Sequence, residues 1–162
     1  EDLAMAGDEG ASAGELAFRR VRQGTLFVLA DLFVQFLLGI WVNLFDTSFP
    51  STESGILRAA VDGSHPILTA HLVNALLLLF LGLGVLSYAL ETPSRRIVRA
   101  SAIGLVSILV ALLFGFVFLY TGFSDDAYSY GMAVAFLAAV YSYFVLLSAV
   151  PTKLDRSAPH VG

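Results

Sequence analysis

Two side chains in this sequence lie where their neighbours are too apolar to solvate them: Asp31, within ADLFVQFLLG, and His71, within TAHLVNA. A carboxyl so placed can bind or pass a proton or hold a cation, and an imidazole can ligate a metal or accept a hydrogen bond. An ionisable group in hydrocarbon costs at least ~2.5 kcal/mol at a helix centre on insertion scales, so each needs a partner or a task. Gln35 follows Asp31 at i+4 and Asn74 follows His71 at i+3, spacings that put each pair on one helix face.

The elements that carry these residues follow from composition. The chain has 162 residues, of which 57% are hydrophobic, and a mean hydropathy of +0.81. That is more apolar surface than a soluble core of this size can bury, so the excess faces lipid. Four windows, 24–45, 66–90, 100–120 and 130–150, are almost free of charge. Each matches the ~20 residues a helix needs to cross ~30 Å of hydrocarbon, and none alternates as a barrel strand does. The expected fold is all-α, an integral membrane four-helix bundle of up-down topology spanning 24–150. Pro66 suits a helix first turn, and Pro151 stands where the last helix must stop.

Residues 1–23 read as a polar cytoplasmic segment and 151–162 as a cytoplasmic tail. Within the first, 1–13 reads as a mobile tail without the apolar core of a signal peptide. Residues 14–23 read as a surface helix, with Glu15 and Arg19 paired and Leu16 and Phe18 touching headgroups.

Charge sets the orientation. Arg19, Arg20, Arg22, Arg95, Arg96, Arg99, Lys153 and Arg156 share one side, and only Arg58 lies on the other. This is the positive-inside pattern, and an even number of spans leaves both termini cytoplasmic. Asp46, Glu53, Asp62, Asp125 and Asp126 fall on the outer side, where ILRAAVDG, with Arg58 and Asp62 at i,i+4, predicts a short amphipathic helix. Trp41, Phe45, Tyr88, Tyr120 and Tyr130 fall at interface depth as anchors. Gly82, Gly84, Gly104, Gly115 and Gly131 are expected to let helices approach closely.

Depth counting suggests partners. Asp31 lies about 10 Å in from the cytoplasmic end at ~1.5 Å per residue, level with Ser107, Tyr141, Ser142 and Tyr143. The first reading is a carboxyl tying helices together by hydrogen bonds; the second is a proton or cation relay. His71 lies about 8 Å below the outer surface, with Trp41 and Asn43 at a similar level. A hydrogen-bonding role comes first there and a ligand role second. His65 stands at the water boundary and His160 in the tail, so neither joins a buried site.

The chain also repeats itself. VQFLLG, ending at Gly39, lies over VALLFG, ending at Gly115, and TAHLVNA over YGMAVAF, which sets His71 against Met132. A real repeat makes two helical hairpins about a pseudo-two-fold axis, with His71 and Met132 facing each other across it. His and Met are a known axial pair for haem iron.

QFLLGIWVNL, the AHLVNA segment and the matching glycine in the third window give the chain a resemblance to one four-helix half of heme A synthase. That resemblance spans about residues 33–140 as a hydropathy pattern. It implies a haem held between the outer ends of the second and fourth helices, with His71 as one ligand. The sequence departs from the family at two points: the fourth helix offers Met132 and no histidine, and the first has no counterpart of the family's catalytic glutamate. The family's synthase activity is therefore not expected.

Other function classes fall away. There is no cysteine for a thiolate site, no basic block for nucleic acid, and no P-loop, dinucleotide fingerprint or HExxH. GLGVLS lies inside a span, where it cannot cradle phosphate. A transporter is expected to show broken helices or paired intramembrane charges. The leading expectation is a small non-catalytic multi-pass protein of the cell membrane. It would serve as an accessory or assembly subunit, with lipid and other membrane subunits or further copies of itself as partners. The alternative is a haem b electron-transfer module using His71 and Met132, with copper or quinone as lesser variants.

Overall fold

A computed structural model describes residues 2–45, 64–123 and 126–151, with side chains from Gly14 onward. The short helix expected around Arg58 and Asp62, the residues Asp46, Glu53 and Asp125, and the tail residues Lys153, Arg156 and His160 lie outside them. The described residues form four long helices and no strand: α1 (Asp2–Phe45), α2 (Pro66–Leu90), α3 (Arg95–Tyr120) and α4 (Asp126–Ala149). All four contain a stretch long and apolar enough to cross a membrane. Large side chains such as Phe27, Phe33, Phe80, Leu113 and Leu137 are exposed on the outside of the bundle, the surface of a chain solvated by lipid.

Local chemistry sets the helix ends. Pro66 occupies the first turn of α2, where its missing N–H leaves nothing unpaired, and the His65 carbonyl accepts from the Thr69 N–H at 3.0 Å. α3 starts at Arg95, ahead of the hydrophobic window at 100, because the Ser94 hydroxyl caps it by accepting from the Ile97 N–H. Asp126 in the first turn of α4 suits the positive end of the helix dipole. Hydropathy locates the membrane stretch of a helix, whereas caps locate the helix.

At the end of α3 the chain reverses through a Schellman motif. The Phe123 N–H donates to Phe118 O at 3.0 Å and the Gly122 N–H to Leu119 O at 3.2 Å. Gly122 takes the left-handed conformation at φ 68°, and Phe123 follows at φ 59°. Edge-to-face packing of Phe123 on Phe118, with centroids 5.1 Å apart, supplies the hydrophobic contact that accompanies the motif.

α1 runs unbroken through the segments expected as a mobile tail and a separate surface helix. No proline interrupts it, and its first half is rich in alanine, which favours helix. Phe18 packs on the core instead of meeting headgroups, because Ala17, Val21, Thr25, Val28 and Leu32 form a buried stripe beside it. Leu16 is exposed.

Among the described residues the helices pack around a square, α1 on α2, α2 on α3, α3 on α4 and α4 on α1, and across the α2–α4 diagonal the Tyr143 hydroxyl reaches Gly82. Gly24 lies beside Val85 and Gly39 beside His71, so α1 and α2 run in opposite directions. Gly104 beside Tyr143 and Gly115 beside Met132 give the same order for α3 and α4. The main core, with Val28, Leu32, Leu78, Val85, Ile108, Ala139 and Tyr143, fills the middle. A second cluster of Val42, Leu68 and Leu119 closes the other end.

The glycines act differently from the expectation of close backbone approach: most of them seat a side chain. Gly104 receives the Tyr143 ring and Gly82 its hydroxyl, Gly115 receives the Met132 sulfur, and Gly131 receives the Phe114 ring. Gly84 faces open space.

Candidate functional site

The intramembrane polar side chains meet in the seam between α1 and α2. On α1, Gln35 and Gly39 continue the buried stripe toward Phe45, and on α2 the turn His71–Asn74 faces them. The Asn74 amide donates to Gln35 Oε1 at 3.0 Å. The Gln35 amide nitrogen lies 3.3 Å from His71 Nε2. Asp31 lies one turn before Gln35 on α1. One chain of polar groups thus runs Asn74, Gln35, His71, crossing the seam twice.

The chain fixes the proton on the imidazole. Gln35 accepts through its oxygen, so its NH2 group turns toward His71 and donates. Nε2 is then the acceptor, and the neutral ring carries its proton on Nδ1. Nδ1 is buried with no partner in the described residues, and so is Asp31 Oδ2. Gly39 makes room for the ring: a Cβ there would stand 3.1 Å from His71 Cε1.

The residues predicted at the depth of Asp31 separate. Tyr141 is 72% exposed and points outward, because the inner face of α4 is built from Ala135, Ala139, Ser142, Tyr143 and Leu146. Ser107 lines a shallow apolar groove on the α3–α4 seam with Phe114, Tyr130 and Val134. Ser142 donates back to Ala138 O at 2.8 Å. Trp41 and Asn43, expected near His71, are both exposed, Trp41 with its ring against Phe45.

Met132 sits over Gly115, with its sulfur 3.2 Å from where a Cβ would stand, just as His71 sits over Gly39. The two side chains therefore occupy matching seats in the two hairpins, α1–α2 and α3–α4. They belong to α2 and α4, which stand on a diagonal and whose backbones do not approach each other closely. As a haem ligand, His71 would have to give up its acceptor contact with Gln35, since a metal needs the same lone pair. In this geometry His71 is engaged in hydrogen bonding and Met132 in packing.

At the end that carries Arg19, Arg20, Arg22 and the start of α3, the Arg20 guanidinium lies over the Tyr88 ring, 5.5 Å from its centroid. This joins α1 to α2 where the positive charges gather. Comparison with known protein families, with curated proteins and with solved structures finds no match to this chain.

Proposed function

We propose that this chain is a small non-catalytic subunit of the cell membrane, crossing it four times with both termini in the cytoplasm, and that it serves as an accessory or assembly component of a larger membrane complex. The observation that carries the reading is Gln35, which holds His71 and Asn74 of α2 from α1. The polar side chains inside the membrane are thereby engaged in joining helices, the use expected of a structural protein. The clustering of Arg19, Arg20, Arg22, Arg95, Arg96 and Arg99 at one end supports the orientation. Exposed aromatics on several helices, Phe33 and Tyr141 among them, supply surface for lateral contact with partner helices. Crosslinking in intact membranes tests this: adducts of fixed size containing other membrane proteins are expected, and adducts of this chain with itself alone would contradict it.

The second reading is a haem b electron-transfer module using His71 and Met132. Their matching seats on Gly39 and Gly115 favour it, because a two-fold arrangement of hairpins places both at equivalent depth. An absorption spectrum of the purified protein, oxidised and then reduced with dithionite, decides between the two. A Soret band with sharpened α and β bands on reduction would put the haem reading first, and a colourless protein would remove it.

A further inference from the structure

One face of α3 passes from charge to hydrocarbon without a break. Arg96, Arg99, Ile103, Val106, Val110 and Phe114 follow one another at steps of three and four residues, so they share a single side of the helix. Arg95 joins them at i−4 from Arg99. All three arginines are exposed, and no carboxylate among the described residues pairs with them. Glu91, the nearest acid in sequence, is exposed on the other side of the turn.

Beyond Ile103 this face becomes one wall of the groove on the α3–α4 seam. Val106, Val110 and Phe114 stand across from Gly131, Val134 and Ala138, around an almost wholly apolar space of about 380 Å³. The small residues of α4 leave it open, and the Phe114 ring seated on Gly131 marks the end away from the arginines. The near end, at Val106, is seven residues from Arg99, about 10 Å at ~1.5 Å per residue. One leaflet of hydrocarbon is about 15 Å deep, half of a ~30 Å core. The groove therefore opens within reach of an acyl chain whose headgroup lies beside Arg99, and Ile103, 58% exposed, lines the way.

We propose that this face of α3 is a binding site for one anionic phospholipid of the leaflet on the arginine-rich side, with its phosphate between Arg96 and Arg99 and one acyl chain in the α3–α4 groove. A guanidinium is always charged and presents a fork of donors that matches phosphate oxygens. Its methylene stem lies along apolar surface while the charge stays at headgroup level. Lipid is already the medium on this exposed face, and an anionic phospholipid is the component of it that carries negative charge and hydrocarbon in this order. A zwitterionic lipid fits the groove as well but brings a cation of its own to the arginines, so the anionic headgroup is preferred. The site needs only the bundle in its bilayer, whatever complex the chain joins.

Native mass spectrometry of the full chain, released from nanodiscs of equal parts phosphatidylglycerol and phosphatidylcholine with identical acyl chains, tests it. Retention of phosphatidylglycerol several-fold above phosphatidylcholine is expected. Arg96→Gln with Arg99→Gln should abolish that preference, whereas Arg19→Gln with Arg22→Gln on α1 should keep it. Ala138→Leu, at an exposed position, fills the groove and should lower retention of both lipids several-fold. Equal retention of the two lipids by the wild type, a preference lost as fully in the α1 pair as in the α3 pair, or unchanged retention in Ala138→Leu would overturn the proposal. So would a dimer that Ala138→Leu dissociates, since a second copy would then occupy the groove. Circular dichroism of each variant shows whether it keeps its helices.

Discussion

Gly39 carries the imidazole of His71 against its bare backbone, with only 3.1 Å between the ring's Cε1 and the point where a Cβ would be. The seat belongs to α1 and the ring to α2, so the glycine fixes how deeply His71 enters the seam and whether it meets Gln35. Gly39→Ala is expected to push the ring outward and destabilise the bundle by about 1–3 kcal/mol, the usual range for overpacking a filled interior. Unfolding in mixed detergent checks this.

Gly104 and Gly84 should respond in opposite ways. A Cβ at Gly104 would stand 2.8 Å from Tyr143 Cε2, and the Tyr143 hydroxyl is already seated at Gly82, so Gly104→Ala is expected to cost about 1–3 kcal/mol. Gly84 has nothing within 4 Å, and Gly84→Ala is expected to stabilise α2 by about 0.5–1 kcal/mol through helix propensity. Parallel denaturation curves for the two variants give the comparison.

The Gln35–His71 contact is open to a double-mutant cycle. Gln35→Leu and His71→Leu together should cost less than the sum of the two, with a coupling of about 0.6 kcal/mol, the average for hydrogen bonds between membrane helices. The milder His71→Gln keeps an acceptor for Gln35 and is expected to retain most of the stability. A ligand role predicts the reverse: loss of a cofactor in His71→Gln, with no coupling to Gln35.

Asp31→Asn is expected to leave the fold and its stability close to wild type, because an amide keeps the carboxyl's size and its capacity to hydrogen-bond. Thermal melting followed by circular dichroism measures the difference. A large loss of helix would mean that Asp31 must carry charge.

Gly122→Ala tests the turn that ends α3. At φ 68° an added Cβ meets the steric penalty of the left-handed region, about 1–2 kcal/mol, while the two Schellman hydrogen bonds demand that conformation. The variant is expected to lower the melting temperature without altering helix content.

The four membrane stretches were legible in the sequence because hydropathy over about twenty residues answers directly to bilayer thickness. Helix starts were less so: Ser94 and Asp126 act through caps and dipoles, which leave only one-residue signals outside the apolar windows. Asp31, Gln35, His71 and Asn74 were each visible as polar residues in apolar surroundings, and their i,i+3 and i,i+4 pairing was readable. That the two pairs join depended on the register between α1 and α2, which single-helix spacing does not contain. Depth alone placed Tyr141 beside Asp31, and the inner face of α4 turned it outward. Tyr143 was the residue whose importance was least visible. The signal was there in two glycines, Gly82 and Gly104, on helices that flank a span with a large aromatic, a pattern of small residues awaiting a ring.

Native mass spectrometry of the protein extracted gently from its own membrane tests the central claim most directly. The account predicts a mass that exceeds this chain by other subunits in fixed ratio, with no added haem. A mass equal to this chain alone or to whole multiples of it, or one that includes haem, would contradict it.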